Sequence, residues 1–324
     1  MLTSPISRTG GPFPKWIPFV LLFIVPLSVS AQQKPAPAAP QKPVAATVAV
    51  TTVVTVLGPN FTAPPAMSKE DVLVRTGNVR ANVSGWVPAQ GDHAALDLAI
   101  LIDEVADIGT QLDDLRKFIL SQPKTTRVGL FYANEGRAQV ASTFNADHDA
   151  VAKSLRITFG RAYASSSLYF SLWDLMAKFP MTTARREILV IGDGIDRFRG
   201  DPFSPDISTT IEKAQKAGII IHTLYARGAG RAGRNLFRVN WGQNNLAQMT
   251  DGTGGESFFQ GLETPVSFGP FLDQLDMVLH NQYFLTFTTA RSAKPKGELR
   301  SFRVTTEQRN AEISAARELF VPGP

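Results

Sequence analysis

The stretch LDLAILIDEVADIG (96–109) runs through apolar residues to Asp103, then to Glu104, Val105, Ala106 and Asp107, after which a helical pattern begins. A buried strand that delivers a carboxylate at its end, in front of a helix, is a common way to hold a cation. Hard ions such as Mg2+ and Ca2+ take oxygen ligands from carboxylates, hydroxyls, carbonyls and water. Val105 is awkward for that chemistry, because its side chain carries no oxygen. A second carboxylate, Asp193, stands in the same position, where the apolar run 187–191 ends in GDG. A different chemistry is suggested by Arg227, Arg231, Arg234 and Arg238, which follow a strand with no acid between Ala226 and Trp241. Such a loop suits an anionic partner (polysaccharide, phosphate or acidic protein), although a solvated surface loop is the plainer reading.

Several chemistries are excluded. The chain has no cysteine, so disulfides, zinc–thiolate sites and thiol catalysis are ruled out. His93, His148, His222 and His280 do not cluster, and neither H-x-x-x-H nor H-E-x-x-H occurs. No G-x-S-x-G marks a serine nucleophile. GAGRAG (228–233) fits G-x-G-x-x-G but follows a late strand instead of opening the first βα unit, so it reads as a loop and not a dinucleotide site. Trp86, Trp173 and Trp241 read as packing residues. The formal charge of +5 is consistent with an anionic partner or surface but lacks the basic tracts of a nucleic-acid tail.

Arg8 and Lys15 precede the apolar run WIPFVLLFIVPLSVS, and VSA (29–31) is a small-x-small cleavage signal. Residues 1–31 therefore read as a secretory signal peptide, which predicts a secreted or periplasmic protein with no transmembrane helix after cleavage. Residues 32–46 are a Pro/Ala-rich spacer. Residues 47–90 read as a β segment, with a β-branched strand at 47–57 and a hairpin at 70–87 turning at TGN.

From Leu96 the pattern alternates. Strands are expected at 96–102, 127–133, 187–191 and 218–225, with a short partner at 138–143. Helices are expected at 111–121, 147–155, 167–179, 207–217, 244–250 and 268–280. This predicts an α/β fold with a doubly wound, mostly parallel, Rossmann-like sheet over 96–280. Ligands of such sheets sit at the carboxyl ends of the strands, where Asp103 and Asp193 lie. Residues 281–324 return to β, with three antiparallel strands at 281–289, 298–306 and 311–321, and the two β flanks can pair into one small domain.

The ordered set LIDEVAD, VGLFYA, SSSLYFSLWDL, IGDGID and AGIIIHTLYA resembles the von Willebrand factor A (vWA) family. With its flanks and LHNQYFLTF, the chain is similar to the secreted vWA-related proteins of acidobacteria. The resemblance implies a metal-ion-dependent adhesion site, usually holding Mg2+. Asp103 matches the first Asp, Val105 replaces the first Ser, Asp107 replaces the second, Ser166 matches the Thr, and Asp193 matches the last Asp. The implied ligands of Mg2+ or Ca2+ are thus Asp103, Asp107, Ser166 and Asp193, a degenerate site. Three carboxylates would over-neutralise the ion, so it would hold metal more tightly and an acidic partner less well. In the alternative, metal-free reading, Asp107 caps the next helix, and loop amides or Arg197 satisfy Asp103 and Asp193. The expected function is a non-enzymatic vWA-like binding or adhesion module for a protein or anionic surface ligand. The alternatives are a metal-free scaffold or assembly protein, and a metal-dependent hydrolase using Asp103, Asp107 and Asp193, for which no residue looks like a poised base.

Overall fold

A computed structural model of the chain describes residues 46–160, 167–197, 206–229, 235–258 and 261–324. The expected signal peptide, nearly all of the spacer, and Ser166, Arg231 and Arg234 lie outside the described residues. Three strands come first: β1 (Thr47–Leu57), β2 (Val72–Thr76) and β3 (Val79–Pro88). The α/β unit follows as β4 (Leu96–Asp103), α1 (Leu112–Ser121), β5 (Thr126–Asn134), β6 (Arg137–Asn145), α2 (His148–Lys153), α3 (Leu168–Met176), β7 (Arg185–Gly192), α4 (Ile207–Ala217), β8 (Ile219–Tyr225), α5 (Leu236–Thr253), β9 (Ser257–Phe258) and α6 (Gly269–His280). The chain closes with β10 (Gln282–Ala290), β11 (Glu298–Thr306), β12 (Glu312–Ser314) and β13 (Glu318–Val321).

The α/β sheet has the order β6-β5-β4-β7-β8-β9, and every neighbouring pair is parallel except β5 with β6. This is the doubly wound order, with β4 and β7 side by side where the winding reverses. A central parallel strand is covered on both faces, so it reads as a continuous apolar run. Every residue of β4 is buried. Leu98, Ile100 and Ile102 pack with Leu115 and Ile119 of α1 and Leu275 and Val278 of α6. Ala99 and Leu101 pack with Leu172 and Leu175 of α3 and with Ala214, Leu246 and Met249 of α4 and α5. Gly218 ends α4 in the left-handed conformation that glycine adopts without Cβ strain.

The second sheet is antiparallel, in the order β12-β1-β10-β3-β2-β11-β13. The expected run of three adjacent C-terminal strands is corrected here. β10 and β11 are not neighbours, because β3 and β2 lie between them, and the third strand is split into β12 and β13 on opposite edges. Since β12 and β13 are consecutive, residues 312–321 pair first with β1 and then with β11, so the sheet curls on itself. Its interior holds Val54, Val74, Leu285, Phe287, Phe302 and Val321, with the Phe287 and Phe302 rings stacked at 5.3 Å.

Buried Arg185, at the start of β7, ties the two sheets together. Nη1 donates to Leu279 O (3.0 Å) and to Gln282 Oε1, and Nη2 donates to Ala94 O (3.2 Å). Glu187 lies 3.6 Å from the same guanidinium and accepts from His222 Nε2 at 2.7 Å; Glu256 N–H occupies His222 Nδ1, which places the ring proton on Nε2. Among the expected helices, α5 departs most in extent. α5 runs over Leu236–Thr253, starting well before residue 244, because Asn235 caps it by accepting Arg238 N–H. α1 starts at Leu112 behind Gln111, so Asp107 is not its cap. Among the described residues no helix is long and apolar enough to cross a membrane.

Candidate functional site

Register alone brings the two aspartates together. Ile102 of β4 pairs with Ile191 of β7, so Asp103 and Asp193 leave adjacent strands at the same edge. Gly192 makes the approach possible, since a Cβ there would press on Asp103 Cβ. Asp103 Oδ1 accepts Val105 N–H (3.1 Å), and Asp193 Oδ1 accepts Ile195 N–H (3.0 Å). Both carboxylates are buried.

The positive charge at this site is Arg197. Its Nη1 donates to Asp193 Oδ1 (3.1 Å) and to Ile195 O (3.0 Å), and its Nη2 donates to Asp193 Oδ2, a bidentate fork with the guanidinium side chain only 10% exposed. The loop that carries it is held from below. Gly194 takes φ +69°, where a side chain is disfavoured, and its carbonyl accepts Asn245 Nδ2–H at 3.0 Å. From above, Gly228 makes room, since a Cβ there would collide with both the Asp193 carboxylate and the Arg197 guanidinium. The remaining space, bounded by Asp103, Ser167, Ser171, Ile195 and Arg197, is about 10 Å3, enough for about one water.

Electrostatics follow from this burial. Burial first, and the charge of Asp193 second, push the Asp103 carboxyl up to about 7, against the pull of Arg197 and of the Val105 N–H. Burial lowers the Arg197 guanidinium, but its hydrogen bond to Asp193 and the charges of Asp193, Asp103 and Asp196 outweigh this and hold it above its ordinary value.

The expected ligand set is only partly assembled. Asp103 and Asp193 meet; Ser166 lies outside the described residues, and its neighbour Ser167 caps α3 by accepting Phe170 N–H at 3.3 Å. Asp107 is not a third ligand. It is exposed, its N–H donates to Arg227 O (2.8 Å) and its carbonyl accepts from Thr264 Oγ1 (3.2 Å). Among the described residues no three His, Asp or Glu side chains are arranged to hold an ion. Both oxygens of Asp193 are already engaged by a guanidinium, and a divalent ion needs a carboxylate oxygen at about 2.0–2.6 Å. The residues present therefore do not fit a divalent ion while Arg197 stays in place.

A second clamped carboxylate, which the sequence reading missed, is Glu104. It pairs with Arg156 and accepts Phe159 N–H at 3.0 Å. The Arg156 guanidinium lies 3.8 Å from the Tyr132 ring centroid and 4.6 Å from that of Phe159. The signal available was an acid directly after the strand, but its partner lies 52 residues further on.

Of the four expected arginines, Arg227 and Arg238 are described, and they do not share a loop. Arg227 pairs with Glu263 of the β9–α6 loop, and Arg238 sits exposed in the first turn of α5 and not in a loop. Trp86 does pack, stacked on Tyr283 at 4.4 Å, and Trp173 Nε1 donates to Thr210 Oγ1 at 3.1 Å. Trp241 does not pack: it is exposed, together with Phe159, Leu236, Phe237, Leu262 and Val266. These six belong to the segments after α2, β8 and β9, which meet at the carboxyl edge through Gly160 N–H to Glu104 O, Ala229 N–H to Val105 O, and Thr264 to Asp107 and Arg227.

The strand order, the crossover helices and the paired edge aspartates make the α/β unit vWA-like. No family model matches the sequence, and no curated protein matches it. Among solved structures, the chain is similar to BatB, a conserved hypothetical protein from Bacteroides thetaiotaomicron, at 12% identity and a TM-score of 0.41 over 57% of this chain and 98% of that one. It is similar to manganese-loaded TRAP protein of Plasmodium vivax at 10% identity and a TM-score of 0.39, over 75% and 97%. It is also similar to proximal thread matrix protein 1 of the mussel byssus with a zinc-occupied MIDAS motif, at 8% identity and a TM-score of 0.41, over 60% and 48%.

Proposed function

We propose that the chain is a secreted or periplasmic, non-enzymatic vWA-like module that binds a protein partner at the carboxyl edge of its α/β sheet, without a metal ion. The observation that carries this reading is the Arg197 fork on Asp193. A delocalised guanidinium with directed donors takes the role a divalent cation would have between the two edge aspartates. It leaves no coordination position through which an acidic partner group could complete a metal shell. The exposed Phe159, Phe237 and Trp241 on the surrounding segments supply the apolar contact area such a partner would use instead. The hydroxyls that line the cavity beside Asp103 are engaged within α3, Ser171 Oγ donating to Ser167 O (3.0 Å) and Ser167 Oγ accepting Phe170 N–H, which favours binding over turnover.

The test is thermal unfolding after chelation, with and without Mg2+, Ca2+ or Mn2+. The intact chain should show no metal-dependent rise in Tm. Arg197→Ser, which leaves two buried carboxylates without their cation, should melt lower and regain stability when Mn2+ or Mg2+ is added, by mass action. A metal-dependent rise in the intact chain would overturn this reading and return the site to a working ion site.

A further inference from the structure

The outer edge of β1 pairs with β12 only at Thr55–Leu57. Hydrogen bonds at both ends of the β1–β10 ladder, Arg291 N–H to Ala46 O (2.8 Å) and Val56 N–H to Asn281 O (2.9 Å), share the register Thr47↔Ala290. Hydrogen-bonded pairs alternate along an antiparallel ladder. The even-numbered residues of β1 therefore bond to β10, and the odd-numbered ones turn their N–H and C=O groups outward. β12 uses only the last of these, at Thr55 and Leu57. Among the described residues no strand pairs with the outward groups of Thr47, Ala49, Thr51 and Val53, and Thr47, Ala49 and Thr51 are exposed. The strap that closes the sheet moves away here: a cavity of about 190 Å3, lined in part by Thr51, Val53, Ala316 and Leu319, separates it from β1.

This edge has none of the usual protection against strand addition, which is charge, proline, a bulge or shortness. TVAVTTVVTVL is eleven residues long, uncharged and proline-free. The opposite case occurs in the same chain. β6, the edge of the α/β sheet, carries Arg137 and two register shifts, and β9 has only two residues.

We infer that β1 pairs antiparallel with β1 of a second copy of this chain, across a two-fold axis at Ala49. Residues 47–51 read TVAVT, the same in both directions. A two-fold centred on Ala49 sets Thr47 against the partner's Thr51, Val48 against the partner's Val50, and Ala49 against the partner's Ala49. Because Ala49 is an outward residue, this is the register in which Thr47, Ala49 and Thr51 exchange both of their bonds, about six hydrogen bonds in all. The facing side chains are small or β-branched and uncharged, so no like charges oppose the pairing. Residues 32–45 are a poor alternative occupant, since four of them are prolines without a donor.

The test uses the full chain. Sedimentation velocity should show a concentration-dependent monomer–dimer equilibrium. Ala49→Pro removes only an outward N–H, which an edge strand tolerates, so it should weaken the dimer at least tenfold with circular dichroism and Tm of the monomer retained. Ala49→Lys provides the same reading if the proline variant misfolds, since it sets two like charges face to face. The chain has no cysteine, so a single one reports register. Opposed Cα atoms in a hydrogen-bonded pair lie about 5.5 Å apart, within disulfide reach. Ala49→Cys should therefore yield a covalent dimer on mild oxidation and Thr47→Cys should not. A chain that stays monomeric, a dimer that survives both edge variants, or equal cross-linking at the two positions would each overturn the inference.

Discussion

Asp103 is the residue whose proton the fold controls most directly. Its carboxyl titrates near 3.8 in an ordinary setting and near 7 here. The folded chain thus keeps the proton to higher pH than the unfolded chain does. Its contribution to stability is full below about pH 4 and is lost as the pH rises to about 7, at a cost of about 2–4 kcal/mol. Asp103→Asn should flatten the loss measured by urea unfolding at pH 4.5 and pH 8; an unchanged profile would assign the effect to another group. Part of this site was legible in the sequence. Asp103 and Asp193 follow apolar runs, and Arg197 was one of the possible partners of the pair. The sequence did not indicate that Asp107 would be exposed, because the contacts that hold the 104–109 loop, from Asp107 to Arg227 O and from Thr264, come from segments more than 100 residues away.

At the scale of elements, the Asp193 loop depends on α5. The Gly194 carbonyl accepts Asn245 Nδ2–H, and a Cβ at Gly194 would collide with Gly242 O and Leu246. Gly194→Ala should cost about 2–4 kcal/mol from left-handed strain and overpacking together, measured as a drop in denaturation midpoint with unchanged m. A loss below about 0.5 kcal/mol would mean that α5 shifts freely to accommodate it. The helices and parallel strands were legible because buried parallel strands and amphipathic helices each carry their own period. α5 was underestimated because its first half, LFRVNWGQ, has neither a clean apolar stripe nor a strong stop. The C-terminal strands were legible as strands but not in their order, since antiparallel partners separated by more than 200 residues leave no mark on local sequence.

For the whole molecule, Arg185 is the junction. It bonds to Leu279 O and Gln282 at the start of the second sheet and lies beside buried Glu187. Burial holds its guanidinium below the ordinary value, against the raising charge of Glu187. Arg185→Leu leaves Glu187 without its cation and should cost about 3–5 kcal/mol. Fluorescence of a variant that keeps only Trp86 of β3 reports the antiparallel sheet, and far-ultraviolet circular dichroism is dominated by the helices of the α/β unit; the two should then give separate unfolding midpoints where the same chain with Arg185 gives coincident ones. Coincident midpoints in the variant would mean that the apolar contacts couple the sheets without the arginine.

The shared sheet also sets an order of events during synthesis. β10 is the partner of both β1 and β3, and Thr55 reaches Gln282 across 227 residues of chain. Closing a flexible loop of that length costs on the order of 5 kcal/mol in entropy. Once the α/β unit has folded, Ala94 and Leu279 are already joined through Arg185, and most of that cost has been met. The unit in the middle of the chain should therefore fold first and bring its own flanks together. Until then, β1 waits with both edges bare, and its uncharged run of valines and threonines is the segment that a growing chain most needs to keep apart from its neighbours.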